Sequence, residues 1–228
     1  MSYVITPPVP VTLAVAGTDA RFPVRRVYCV GRNYADHAIE MGHDPSREPP
    51  FFFQKNADNI LEAGTPFPYP SLTENVHFEV ECVVALQSGG ADIAVDEALS
   101  HVYGYGVGID MTRRDIQDGL KKMGRSWEGA KAFEHSAPMS ALVPASEIGH
   151  PSEGLVWLDV NGERRQTGDL NQMIWKTSEI IAELSKYFTL GAGDVIMTGT
   201  PSGVGPIVKG DTITCGVQGV AELTVSVV

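Results

Sequence analysis

Between Asn75 and Val84 the chain alternates strictly. His77, Glu79 and Glu81 fall on one face of a predicted strand, and Phe78, Val80 and Cys82 fill the other. Two carboxylates at adjacent same-face positions have Cα atoms about 7 Å apart. They repel each other, and burying them unpaired costs several kcal/mol each. A cation between them removes that cost, and the side chains can converge on one ion bound at roughly 2.0–2.6 Å. Taken alone, the same pattern also describes an edge strand with a polar outer face.

Elsewhere the pattern predicts mostly strands. Residues 3–15 and 25–30 read as strands about a turn at Gly17-Thr18-Asp19, and Phe51-Phe52-Phe53 as a strand leading to Lys55. A small-residue strand over 104–109 ends in Asp110, and from Asp194 onward short strands alternate with glycine turns. Helices are few. Residues 95–101 form one; Thr112 and Asp115 cap another that runs to about Lys122. The clearest amphipathic stretch is 178–188, with Ile180, Ile181, Leu184, Tyr187 and Phe188 at helical spacing and Gly191 just beyond. Asn33, with Asp36 three residues on, predicts the start of a further helix that stops at Gly42. Its two turns fall well short of the ~12–15 residues an isolated helix needs, which makes it a candidate lid. The resulting class is α+β and strand-dominated.

Composition narrows the function. The chain has 228 residues, 43% hydrophobic and 20% charged, with 24 glycines and 15 prolines, as expected of a turn-rich globular protein with a substantial core. A net charge of −11 argues against nucleic acid and anionic membrane as partners. An anionic ligand would need that field reversed locally by a metal or by buried Lys and Arg. Cys29, Cys82 and Cys215 lie far apart in apolar runs, as reduced core thiols of a cytoplasmic protein do. No apolar run approaches a membrane span, and no basic residue precedes Arg21, so a signal peptide is not expected.

Three places gather candidate chemistry. Asp110, at a strand end, completes with Glu79 and Glu81 an all-oxygen set suited to Mg²⁺ or Mn²⁺; Ca²⁺ usually takes more oxygens. His37 and Glu40, three residues apart, project from one face of the short helix, and a histidine oriented by a carboxylate can take a proton from water near neutral pH. Spacing alone favours a solvated surface pair. On the helix after Thr112, Arg113 and Gln117 share a face with Arg114 beside it, and Lys131 is a lone charge among small and apolar residues. Thr198-Gly199-Thr200-Pro201 is a tight turn that lacks the Lys-Ser/Thr pair of a phosphate loop.

GRNYADH-x-x-E, H-x-E-x-E, G-x-D-M-T-x-R-D-x-Q, A-K-x-F and TGTP-x-GVGP, in this order over roughly residues 25–228, resemble the acylpyruvate-hydrolase branch of the fumarylacetoacetate hydrolase superfamily. The resemblance implies a mixed β-roll or β-sandwich with a few inserted helices, a catalytic domain over 25–228, an N-terminal β extension over 1–24, and a homodimer. It implies Mg²⁺ or Mn²⁺ on Glu79, Glu81 and Asp110, with His37 and Glu40 on a lid activating water. It further implies that Lys131 and Gln117 steady an oxyanion, with Arg114 and Thr200 at the keto-acid end of the substrate. His77 belongs to the motif but is not a metal ligand of the family.

The expected reaction is hydrolysis of the C–C bond of a 2,4-diketo acid to pyruvate and a carboxylic acid. A fumaryl- or maleylpyruvate-type substrate, as in gentisate and related aromatic degradation, is favoured. A second carboxylate on such a substrate needs a cationic partner, and Arg32, Arg47, Lys55 and Arg125 are candidates. Two other readings stand beside it. One is an oxaloacetate (2-keto acid) decarboxylase or a hydratase on the same fold. The other is a non-catalytic β-rich protein with a structural Ca²⁺.

Overall fold

The computed structural model describes residues 2–36 and 48–228. A mixed eight-stranded sheet carries the molecule. Along its path run Phe51–Lys55, Arg26–Gly31, Asp194–Met197, Val80–Leu86, Val102–Ile109, Ala137–Met139 and Ile60–Glu62, with Val143–Pro144 also pairing on Val102–Ile109. A four-stranded antiparallel sheet (Glu163–Asp169, Leu155–Val160, Thr212–Val217, Ala221–Ser226) packs against it. A three-stranded sheet joins Gly205–Ile207, Val76–Phe78 and Thr112–Arg113. The strand-dominated, curled-sheet class expected from the sequence is what the fold shows.

The central strands Val80–Leu86 and Asp194–Met197 are buried on both faces, so alternation gives way to the continuous apolar run of a two-sided strand. The main core, on one side, includes Phe78, Val84, Tyr105, Ile109, Leu158, Ile181 and Ile213. A smaller core, on the other, joins Leu13, Val15 and Phe22 to Val27, Cys29, Val83, Val195 and Met197. Leu13, Val15 and Phe22 belong to the hairpin Thr12–Val15/Thr18–Pro23. Its first strand is four residues long, not the thirteen of 3–15, because Pro7, Pro8 and Pro10 withhold the backbone donors a longer pairing needs.

Four helices are described: α1 (Arg114–Lys122), α2 (Glu128–Lys131), α3 (Ala145–Ile148) and α4 (Thr177–Tyr187). Helix α4 is the predicted amphipathic one and buries Ile180, Ile181 and Leu184. The helix expected over 95–101 is only a 3₁₀ turn, Ala98–His101. Residues 37–42 of the expected lid helix lie outside the described residues.

Candidate metal centre

The strand read across 75–84 is broken at Glu79. Val76–Phe78 pairs in the three-stranded sheet and Val80–Leu86 in the large one, so Glu79 occupies the junction. That break replaces simple same-face alternation as the reason the two glutamates meet. Asp110 is reached from the far end of the neighbouring strand, its N–H bonded to the Glu79 carbonyl at 2.8 Å. Glu79, Glu81 and Asp110 are all buried, and each offers a carboxylate oxygen within 4.8 Å of the others.

Three buried bases surround the three acids. Lys131 Nζ, from the end of α2, donates to Glu79 Oε2 at 2.8 Å, Asp110 Oδ2 at 2.7 Å and Thr112 Oγ1 at 2.7 Å. Burial pulls its pKa down, but Asp110 and then Glu79 more than reverse this, leaving the ammonium above the usual lysine range. Arg114 makes a short ion pair with Glu79 Oε1, donates to Gln117 Oε1 at 2.6 Å, and reaches His77 Nδ1 at 3.4 Å. Lys55 Nζ lies 2.8 Å from Asp110 Oδ1 and donates to Ser136 Oγ at 3.1 Å, Met111 O at 3.3 Å and the Lys131 carbonyl. Lys55 is therefore committed to Asp110 and is no longer a candidate for a distal substrate carboxylate. Arg125 is exposed away from the pocket, and Arg47 lies outside the described residues.

Glu81 has a different partner. Its Oε2 accepts the Gly199 N–H at 2.7 Å. Burial, then the charges of Asp110 and Glu79, push its carboxyl well above the usual carboxylate range, against the pull of that amide and of Lys131. Gly199 can aim its amide this way because it has φ +96°, and a Cβ there would sit 2.7 Å from Asn33 Cβ. Asn33, expected as a helix cap, has its side chain bonded to distant backbone instead of only to its own segment. Fully buried, it donates to Thr198 O at 2.8 Å and Trp175 O at 3.0 Å, and its side-chain oxygen accepts the Trp175 N–H at 2.7 Å. Thr200 is buried in the same loop and accepts from Gln166 Nε2 at 2.8 Å, while Gln166 Oε1 accepts the Val80 N–H at 3.0 Å.

Helix α1 begins at Arg114, with no cap from Thr112, so the face at the site carries Arg114 and Gln117 three apart. Arg113 instead lies over the Phe133 ring at 4.3 Å. The pocket above the acids is lined by Glu79, Glu81, Asp110, Arg114, Gln117, Lys131 and Thr200, together with Arg32, Lys121, Trp127 and Phe53. His37 and Glu40 lie outside the described residues. Lys55 was expected at a distal substrate carboxylate and Asn33 as a helix cap, so the roles they play here, and Gln166 altogether, escaped sequence reading. Only Lys55 carried a signal, a single charge closing an aromatic run as Lys131 closes a small-residue one.

The donor set fits a hard divalent cation. It is all carboxylate oxygen, converged and buried. Asp110 Oδ1 is buried without an aligned hydrogen-bond donor, since the Lys55 ammonium lies off its axis.

Comparison with known proteins bears on the same residues. The profile of the fumarylacetoacetate (FAA) hydrolase C-terminal region matches residues 26–228. An oxaloacetate tautomerase of Escherichia coli is 43% identical over 87% of this chain and 90% of its own. A fumarylpyruvate hydrolase of a Ralstonia species is 40% identical over 81% and 95%. A crystal structure of fumarylpyruvate hydrolase from Pseudomonas aeruginosa, in complex with Mn²⁺ and pyruvate, superposes with a TM-score of 0.97 at 50% identity, covering 100% of this chain and 99% of that one.

Proposed function

Because the chain belongs to the fumarylacetoacetate hydrolase family, an enzyme family of hydrolases and tautomerases, we propose that it hydrolyses the C–C bond of a 2,4-diketo acid of the fumarylpyruvate or maleylpyruvate type. The products are pyruvate and a carboxylic acid. The observation that carries this reading is the buried Glu79/Glu81/Asp110 cluster, bordered by Lys131, Arg114 and Gln117 in one pocket. The end-to-end likeness to the Pseudomonas fumarylpyruvate hydrolase supports it.

Glu79, Glu81 and Asp110 would hold Mg²⁺ or Mn²⁺, which when bound supplies Lewis-acid polarisation of the substrate's carboxylate and 2-keto oxygen. Arg114 and Thr200 border the keto-acid end. His37, oriented by Glu40, takes the proton of the water that attacks the distal keto carbon; this pair rests on spacing and on the family pattern. Gln117 lines the pocket with its amide oxygen held by Arg114, which leaves its NH₂ group as a donor for the developing oxyanion. Lys131 donates its three protons to Glu79, Asp110 and Thr112, and its buried positive charge favours the developing oxyanion. Collapse of the tetrahedral adduct breaks the C–C bond. The pyruvate enolate leaves and takes up a proton.

The likeness to an oxaloacetate tautomerase favours a second reading, since enolising a 2-keto acid needs the same acid cluster. Pyruvate release from fumarylpyruvate, measured beside keto–enol exchange and CO₂ release from oxaloacetate, separates the two. Efficient pyruvate release that EDTA abolishes and Mg²⁺ or Mn²⁺ restores is expected. His37→Ala should keep metal binding and lose about 10²–10⁴-fold in turnover. Oxaloacetate exchange far outrunning fumarylpyruvate hydrolysis would reverse the assignment. A homodimer in the cytoplasm completes the proposal. No described helix is long and apolar enough to cross a membrane.

A further inference from the structure

Part of the pocket lining is built from groups that the chemistry above leaves unused. These are Arg32 and Lys121, together with Trp127 and Phe53. Lys121 is held in place: its ammonium lies 5.3 Å from the centroid of the Trp127 ring, which packs in turn on Phe51 at 5.0 Å and Phe53 at 6.0 Å. Among the described residues its ion pair is with Asp118 Oδ1, 4.0 Å away on a side chain 52% exposed, a loose and solvated contact. Burial lowers the Lys121 pKa, and so do the charges of Arg114 and Arg32, against the opposing pull of Asp118 and Glu79. Arg32 takes φ 59°, a left-handed conformation uncommon outside glycine and often found at functional sites. Among the described residues it forms no ion pair.

Charge separates this part of the lining from the acid cluster. At the cluster, Glu79, Glu81 and Asp110 meet Lys55, Lys131 and Arg114, three acids against three bases. Among the described residues, Arg32 and Lys121 form an ion pair only in the loose contact of Lys121 with Asp118, in a protein of net charge −11. Their place sets a length. Arg114, Gln117 and Lys121 follow one another along one face of α1, so Lys121 lies two turns, about 10 Å along the axis, from the arginine that grips Glu79.

We propose that Arg32 and Lys121 form a second anion site that selects acyl chains ending in a carboxylate about two helical turns from the keto-acid end. A seven-carbon dicarboxylate such as fumarylpyruvate fits that span, whereas the four-carbon oxaloacetate is too short to occupy both ends. The inference rests on the diketo-acid reading for its substrate, but the anion site itself can be tested without turnover.

Two measurements on the Mg²⁺-loaded protein decide it. In the first, the kcat/KM preference for fumarylpyruvate over acetylpyruvate, which lacks the terminal carboxylate, should fall about tenfold or more in Lys121→Gln and in Arg32→Gln. The change should sit mainly in KM, Lys121→Arg should restore the preference, and Lys122→Gln should keep it. Equal losses on both substrates would overturn the proposal. In the second, fumarate and the uncharged-ended crotonate are titrated calorimetrically in the presence of pyruvate. Fumarate should bind more tightly to the wild type, and Lys121→Gln should erase the difference. A wild type that does not distinguish the two acids overturns the anion site. A wild type that distinguishes them but does not hydrolyse fumarylpyruvate overturns only the hydrolase reading.

Discussion

Lys55 and Asp110 are both fully buried, and neither side chain could be accommodated without a partner. Removing one member of such a pair leaves an uncompensated charge in the interior, at a cost of about 3–5 kcal/mol. Lys55→Met should fall toward the lower end, because Lys131 still holds Asp110 Oδ2. A lowered urea midpoint at unchanged slope reads this directly. Combining it with Asp110→Asn should cost far less than the two single changes added together, a coupling that a double-mutant cycle measures. At this scale the sequence was partly legible. The acids and Lys131 stood out because ionised groups in apolar or small-residue surroundings need partners. Asn33 did not, since nothing local distinguishes a helix cap from a side chain bonded to residues 142 and 165 positions away.

The loop from Thr198 to Pro201 shows how an element shapes a site without lending it a ligand. Gly199 sits at φ +96° with its amide on Glu81 and no room for a methyl group beside Asn33. Gly199→Ala should therefore cost about 1–3 kcal/mol in stability. It should also weaken Mg²⁺ binding by moving the Glu81 carboxylate, as thermal melts with and without the metal would show. The break at Glu79 carries the other lesson of this scale. Strict alternation predicted one strand, and it placed the two glutamates near each other for the wrong local reason. The kink arises from pairing with strands far along the chain, which periodicity cannot register. Helix α4, whose burial follows its own repeat, was legible almost to the residue.

For the molecule as a whole, the strand-dominated class followed from many short apolar runs with glycine and proline between them, and the curled sheet from the family resemblance alone. The order of strands did not, because it depends on long-range pairing. We treat residues 1–24 as an extension of a catalytic unit over 25–228. The hairpin seals the smaller core with Leu13, Val15 and Phe22, all buried. Deleting residues 2–24 should expose Val27, Val83 and Val195, and lower the melting temperature by several degrees or more. The acid cluster lies along the same face of the sheet, because Glu81 alternates with Cys82 and so shares its side with Val83 and Ala85 of that core. The truncated chain should therefore also bind Mg²⁺ more weakly, which calorimetry below the new transition checks. Unaltered thermal stability would mean that the hairpin is an ornament.

Asn33 is fastened at three points to the loop behind Glu81 and to the backbone of Trp175. Four residues later the chain reaches His37. The fastening acts as a mechanical clamp: a length change or sequence graft downstream of Asp36 pulls on Asn33 and is not transmitted to the carboxylates. Relatives should thus be able to exchange that segment as a cassette, with altered turnover and selectivity but the same affinity for the divalent ion.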